Sequence, residues 1–249
     1  SAGKIVRIYN GLDPAGFIPA DAGAGRESLK IVSVGRLIEF KGFHHLIKAC
    51  AELKRRGVAL ELNIVGEGPW GERLQALAAE QDVAGEVIFH GILGGDAVGR
   101  LLASSNVFAL GAVVDGKGAS DILPTVITEA MASGLPVVAT RLAGIPEMVA
   151  HGSSGLLCEP GDEQGLADAL ERLAKEPDTR AAFAGEGRRL AGERFALEVT
   201  AGQLLETFPG DAREPARYPE VVYLASGWGG RGPRSADTEL IAAAAEQKV

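Results

Sequence analysis

Leu29-Lys30-Ile31-Val32-Ser33-Val34-Gly35, then residues 43–56 up to Gly57, then Leu60-Glu61-Leu62-Asn63-Ile64-Val65-Gly66, form the stretch that decides the fold. Each short apolar run ending in glycine reads as a strand buried on both faces, the pattern of a parallel sheet. Between them Leu46, Ile47, Ala49, Cys50 and Leu53 recur at helical spacing, and Gly57 is a natural C-cap. Strand, crossover helix and strand make a βαβ unit.

The alternation continues outward. Helices are expected at 70–81, 97–103, 124–133 and 145–150, and strands at 87–90, 107–110, 136–139 and 155–158. Helical segments follow at 163–174, 178–194 and 197–208. This specifies an α/β fold, a doubly wound Rossmann-like parallel sheet with helices on both faces. Ligands of such sheets bind beyond the carboxyl ends of the strands. The loops there, 35–42, 66–71, 111–121 and 140–146, are rich in glycine and charge. Four segments are expected along the chain. Residues 1–25 read as a turn-rich hinge or linker, with Asn10-Gly11 and Asp13-Pro14 as breakers and a Gly/Ala-rich connector at 22–25. Residues 26–208 form the sheet domain, 209–220 a Pro-, Arg- and Asp-rich linker, and 221–249 an extra βα unit with a glycine loop.

Composition narrows the chemistry. Hydrophobic residues make up 46% of 249, enough for a sizeable core. A net charge of −8 argues against a general nucleic-acid or membrane-surface binder, since both need a basic face. It leaves room for a phosphate pocket built on two or three placed cations. No run approaches the roughly 20 apolar residues of a membrane span. Cys50 and Cys158 lack metal-ligand spacing and read as ordinary buried thiols of a reducing compartment. Without a signal peptide the expected localisation is cytoplasmic, and Ser1-Ala2-Gly3 looks like an arbitrary cut. His44, His45, His90 and His151 show no HxxxH or HExxH spacing, so no metal site is expected. A GxSxG hydrolase elbow is absent from the sequence too.

Three segments carry candidate chemistry. Gly35-Arg36 and Lys41-Gly42 lie on the first strand-to-helix loop, where a fork-shaped guanidinium and a point-charge ammonium can converge on one anion. Two solvated cations are the bland alternative. Asp121-Ile122-Leu123-Pro124-Thr125-Val126-Ile127-Thr128-Glu129 reads as a helix start, with amides of Thr125, Val126 and Ile127 available to an anion. Its two acids are either acceptors for sugar hydroxyls or, blandly, a helix cap at Asp121 and a surface charge at Glu129. The third segment, residues 134–147, is a helix C-cap, a buried strand and a turn with Gly144 and Glu147. A plain tight connection is the favoured reading of it, and a loop beside the same ligand cleft the other.

Taken in this order, residues from about 5 to 208 resemble glycosyltransferase family 4, the retaining group with the GT-B fold. Asn10-Gly11-Leu12-Asp13 with Phe17 and Pro19 resembles the family's segment entering its second domain. Ile64-Val65-Gly66-Glu67-Gly68-Pro69 is similar to its IVGxGP turn, and Phe89-His90-Gly91 to the segment against the base. The run Glu129 to Thr140 matches its strongest signature nearly letter for letter.

The resemblance implies a donor-binding, C-terminal half of a retaining glycosyltransferase. Arg36 and Lys41 would neutralise the donor diphosphate in place of a metal, so no cofactor is expected. Glu129 would bind the ribose hydroxyls. Asp121, the first acid of the EX7E motif, would contact the sugar. Gly35 would let backbone approach the ligand, the amides of Thr125, Val126 and Ile127 beside Leu123 and Pro124 would hold phosphate, and Gly66 with Glu67 and the backbone from His90 through Ile92 to Leu93 would frame the base. The donor would be UDP-, GDP- or ADP-linked. Acceptor binding would fall to an N-terminal domain of the parent protein, which could hold it at the membrane periphery.

Two departures stand out. Asp121 replaces the usual Glu, and Leu110-Gly111 with Val113-Val114-Asp115-Gly116-Lys117-Gly118 replaces a Pro-Ser pair. They keep open an alternative, a catalytically silent nucleotide-sugar-binding or scaffold domain. The isolated chain is expected to bind nucleotide weakly and to transfer no sugar. Residues 221–247 resemble the first strand, glycine loop and helix of another GT-B domain, or else an added edge of the same sheet.

Overall fold

Strand β1 (Leu29–Val34) pairs in parallel with β2 (Leu60–Val65) on one side and with β4 (Val107–Leu110) on the other. This computed structural model describes residues 6–20 and 28–207. With β3 (Val87–Phe89), β5 (Val137–Thr140) and β6 (Gly155–Cys158), the strands form one six-stranded sheet in the order β3-β2-β1-β4-β5-β6. Every pairing is parallel. The chain steps outward from β1 to β3, returns to lay β4 beside β1, then steps outward the other way. The β1/β4 boundary is the topological switch point, where the loops at the strands' carboxyl ends diverge and leave a crevice.

Helices α1 (Phe43–Arg55), α2 (Gly71–Glu80) and α6 (Glu163–Lys175) cover one face. On the other lie α3 (Gly95–Ala103), α4 (Thr125–Ala132) and α5 (Ile145–Met148), with most of α7 (Pro177–Phe195). Strand residues alternate between the two cores: Ile31, Val107, Ala109 and Val138 face the first, and Val32, Phe108, Leu110, Val137 and Ala139 the second. All nine are fully buried, which is why β4 and residues 137–139 of β5 read as unbroken apolar runs rather than as alternation.

Several element ends differ from the sequence reading. Pro124 stands outside α4 as its N-cap, with an extended ψ of 103°, so the helix begins at Thr125. Helix α3 begins two residues early, from an extended Gly94. Helix α8 (Leu197–Glu206) stops short of residue 208, which lies outside the described residues. Two 3-10 turns, Pro14–Gly16 and Glu39–Lys41, occupy stretches read as loop. In the first, the Asp13 carboxylate accepts from the Ala15 amide at 2.9 Å. The connector at 22–25, the linker at 209–220 and the unit at 221–249 also fall outside the described residues.

Residues 6–20 are not a loose lead-in. Leu12 exchanges backbone hydrogen bonds with Phe195 and Leu197 at the α7–α8 junction, at 2.8 Å each. The Tyr9 ring meets Phe195 edge-on at 5.1 Å. Cys50 is buried, but Cys158 is only half-buried because it ends the edge strand β6. Burial pushes the Cys158 thiol up to about 11 and that of Cys50 higher still, so both are protonated near neutral pH.

Candidate functional site

The carboxyl edge of the sheet is assembled by close backbone approaches that two glycines permit. Gly66 has φ of 131°, and a Cβ there would stand 1.9 Å from the Gly35 carbonyl oxygen. Gly42 has φ of 67°, and a Cβ would fall 1.6 Å from the Gly111 carbonyl oxygen. No side chain fits either place. The β1 loop is thereby clamped between the loops after β2 and β4. Backbone bonds complete the clamp: Leu37 N–H to Glu67 at 2.9 Å, Val113 N–H to Phe40 at 2.9 Å and Gly66 N–H to Gly91 at 2.8 Å.

This clamp sets the cations. Arg36, at the turn after Gly35, is exposed. Lys41 ends the 3-10 turn and runs inward, where its ammonium donates to the Asp121 carboxylate. The side chains of this ion pair are only 14% and 6% exposed, so both charges have left bulk water and depend on one another. The sequence reading set Lys41 on an anion and Asp121 on a sugar. In the unliganded chain they hold each other. Nor is Asp121 the α4 cap, a place Pro124 occupies without a side-chain bond.

At the start of α4, the Ile127 amide turns back to the Pro124 carbonyl at 3.0 Å. It is therefore spent, and the amides of Thr125 and Val126 head the helix, where geometry leaves them without intrahelical acceptors. Glu129 is half-buried one turn further on, so it is not the freely solvated charge of the bland alternative. Leu123 lies half-buried beside Pro124, and the Gly144 amide donates to the Ile122 carbonyl at 2.8 Å. That bond ties the loop after β5 to the segment before α4. The Thr140 hydroxyl donates to the Ala112 carbonyl at 2.6 Å and fixes the loop after β4 from beneath. Asp115 closes its own turn, its carboxylate accepting from the Lys117 and Ala119 amides at 2.9 and 2.8 Å.

The residues expected to frame a base gather at the ends of β2 and β3. Glu67 is exposed, with a carboxylate oxygen 3.4 Å from where a Gly91 Cβ would stand, and Ile92 is 74% exposed. The His90 ring Nε2 lies 2.7 Å from Asn63 Oδ1 and its backbone N–H donates to the Ile64 carbonyl at 2.9 Å, so two of its polar groups are already engaged. The structure thus gathers the expected residues along one edge, with His90 contributing least.

Other groups were not legible in the sequence. Glu147 is no bystander of the α5 start: its carboxylate accepts from the Arg7 guanidinium and the Tyr9 hydroxyl, both at 2.7 Å. That contact joins the segment leading into the domain to α5. Burial raises the Tyr9 hydroxyl above its ordinary value, and the bond to Glu147 adds to this. Beside the clamp, His44 packs against Trp70 at 5.0 Å and has a buried Nδ1 without a hydrogen-bond partner among the described residues. Burial, helped by the neighbouring His45, Lys48 and Arg73, lowers its pKa to about 4.

Two cavities are lined by none of Arg36, Lys41, Asp121 and Glu129. One of 240 Å³ sits at the amino end of β1, lined by Ser28, Asn106 and Arg180 among others. One of 270 Å³ lies between α1 and α2, lined by His44, Trp70 and Arg73 among others. Among the described residues no group of three or more His, Cys, Asp or Glu could hold a metal ion, and no helix is long and apolar enough to cross a membrane.

Comparison with known proteins places this geometry. The family described as glycosyl transferases group 1 matches residues 17–190. The glycosyltransferase WcaL of Escherichia coli strain K12, provisionally assigned to colanic acid biosynthesis, is 39% identical over 202 residues. That match covers 81% of this chain and 50% of WcaL, so the chain spans about half the length of this curated relative. A crystal structure of Anabaena HepE in complex with UDP-glucose superimposes with a TM-score of 0.70 at 26% identity, over 80% of this chain and 56% of that one. The C-terminal domain of a group 1 family glycosyl transferase (LpcC) from Francisella tularensis shares the fold. It aligns at a TM-score of 0.62 and 23% identity, over 75% of this chain and 99% of that domain. The chain belongs to the group 1 glycosyl transferases, and its sheet is the C-terminal α/β domain of their GT-B fold.

Proposed function

We propose that this chain is the donor-binding part of a retaining glycosyltransferase, taking a nucleoside-diphosphate sugar whose glycosyl group passes to an acceptor held by a second domain. One observation carries the reading: Arg36 and Lys41 lie on the loop after β1, Asp121 and the start of α4 on the segment after β4, and the Lys41–Asp121 pair joins the two at the β1/β4 switch point. Two cations and a helix N-terminus suit a diphosphate. The HepE complex with UDP-glucose supports the class of ligand.

In this reading Arg36 and Lys41 stabilise charge on the departing nucleoside diphosphate as the sugar becomes oxocarbenium-like, electrostatic catalysis without a metal. Glu129 accepts from the ribose hydroxyls. Gly66, Glu67, Ile92 and the His90 backbone frame the base. Sugar transfer then requires an acceptor-binding domain besides the residues of this chain.

Calorimetric titration with UDP, GDP and ADP tests the reading, on the wild type and on Arg36→Ala and Glu129→Ala, with and without EDTA. One nucleotide should bind, unaffected by the chelator. Each substitution should weaken it about 10- to 100-fold, the worth of a charge-assisted hydrogen bond. Binding of none of the three would leave a scaffold domain instead.

A further inference from the structure

We propose that the Lys41–Asp121 ion pair is an exchangeable internal counter-ion, which makes this edge prefer a diphosphate carrying a hydroxyl-bearing sugar over the bare nucleoside diphosphate. The inference rests on the nucleotide-sugar reading above and adds a selectivity to it.

Asp121 is 5% exposed, and the Lys41 ammonium is the hydrogen-bond donor that the described residues give its carboxylate. A carboxylate so placed cannot be left without a donor at little cost. Lys41 adjoins Gly42, which packs on the Gly111 carbonyl with no space for a Cβ, and Asp121 adjoins Ile122, whose carbonyl accepts from the Gly144 amide at 2.8 Å, so the backbone beside each partner is tied. When a diphosphate draws the ammonium toward itself on its long stem, the short Asp121 side chain stays behind with its tied backbone.

What the ligand offers next decides its affinity. A bare nucleoside diphosphate brings acceptors to this position, so Asp121 is stranded and also repels the incoming charge. A diphosphate bearing a sugar brings hydroxyls, each able to donate to the released carboxylate. The exchange is then completed: Lys41 passes from Asp121 to phosphate, and Asp121 from Lys41 to a hydroxyl. Arg36 is exposed outside this pair and can meet the phosphate before the exchange. Selectivity against the spent nucleotide follows from a buried charge that only the intact donor satisfies.

The test titrates the full chain with UDP and UDP-glucose; if GDP or ADP is the nucleotide that binds, GDP-mannose or ADP-glucose replaces the sugar ligand. Wild type should bind the sugar-linked form about tenfold more tightly than the bare diphosphate. Asp121→Asn should tighten the bare diphosphate about fivefold or more and abolish the preference, since a neutral amide is neither stranded nor repelling. Asp121→Ser provides the same comparison should the Asn variant not fold, with folding checked by thermal melting. A bare diphosphate that binds wild type as tightly as its sugar-linked form overturns the proposal. So does an Asp121 variant that binds the bare diphosphate more weakly than wild type does. If wild type binds no nucleotide at all, the nucleotide-sugar reading falls, and this inference with it.

Discussion

The two ends of α1 carry opposite solutions to the same problem. At its start, Lys41 is held inside the molecule by one acid, Asp121, from a loop 80 residues away. At its end, Arg56 stays near the surface and collects several partners. It reaches Glu52 one turn back at 2.8 Å, and Asp168, Glu171 and Gln164 on α6 at 2.6 to 2.8 Å. Solvated ion pairs with many partners are individually dispensable, since water replaces any one of them. A buried pair with one partner gains little over an apolar pair but is costly to break. The surface cluster therefore reads as a staple between α1 and α6, and the buried pair as something retained for a ligand.

The backbone at the two ends sharpens this contrast most. Gly42 and Gly57 both have positive φ, 67° and 78°. A Cβ at Gly42 would overlap the Gly111 carbonyl, whereas at Gly57 it would meet nothing within 4 Å. Gly57→Ala should cost about 1 kcal/mol, the conformational penalty alone. Gly42→Ala should cost about 4 kcal/mol or more, because the β1 and β4 loops must separate. Urea unfolding measures both, and equal losses would contradict the clamp.

Next in size is the pair itself. Lys41→Met strands Asp121 and should cost about 3 kcal/mol, most of it recovered in the Lys41→Met/Asp121→Asn double variant. Arg56→Ala should shift the unfolding midpoint far less, and adding a substitution of Glu171 should be nearly additive. A double-mutant cycle without coupling between Lys41 and Asp121 would erase the distinction between the two ends.

The smallest effect concerns pH at the buried end. His44 takes up a proton in the unfolded chain near its ordinary value of about 6.5, but in the folded chain only near 4. The folded state keeps its full margin above about pH 6.5 and loses stability as pH falls toward 4, where the unfolded state binds the extra proton. With solvent screening at this half-buried ring, the loss is about 1 kcal/mol. Denaturant titrations at pH 7 and pH 4.5 should show that part of the slope missing in His44→Gln. An unchanged slope would remove His44 from the account.

Much of the architecture was legible because its causes are local. Apolar runs of four to six residues ending in glycine, separated by segments of helical period, identify strands and helices wherever they pack. The match of Glu129 to Thr140 with a known signature did the rest for the family. Element ends were less legible: Pro124 looks alike as first helical residue and as N-cap until its ψ is known. Burial at the sheet edge was misread for Cys158, since lateral position is no property of the strand's own residues.

The sequence by itself determined the alternation of elements, the parallel α/β class, and which loops bear glycine and charge at the strands' carboxyl ends. Only the tertiary structure decided that Lys41 and Asp121 hold each other, that the Ile127 amide is spent, and that Glu147 receives Arg7 and Tyr9. The physical reason is range. Periodicity and capping act over a few residues, whereas the Lys41–Asp121 pair exists because two glycine-lined loops, far apart in the chain, are pressed together by the sheet order that puts β4 beside β1.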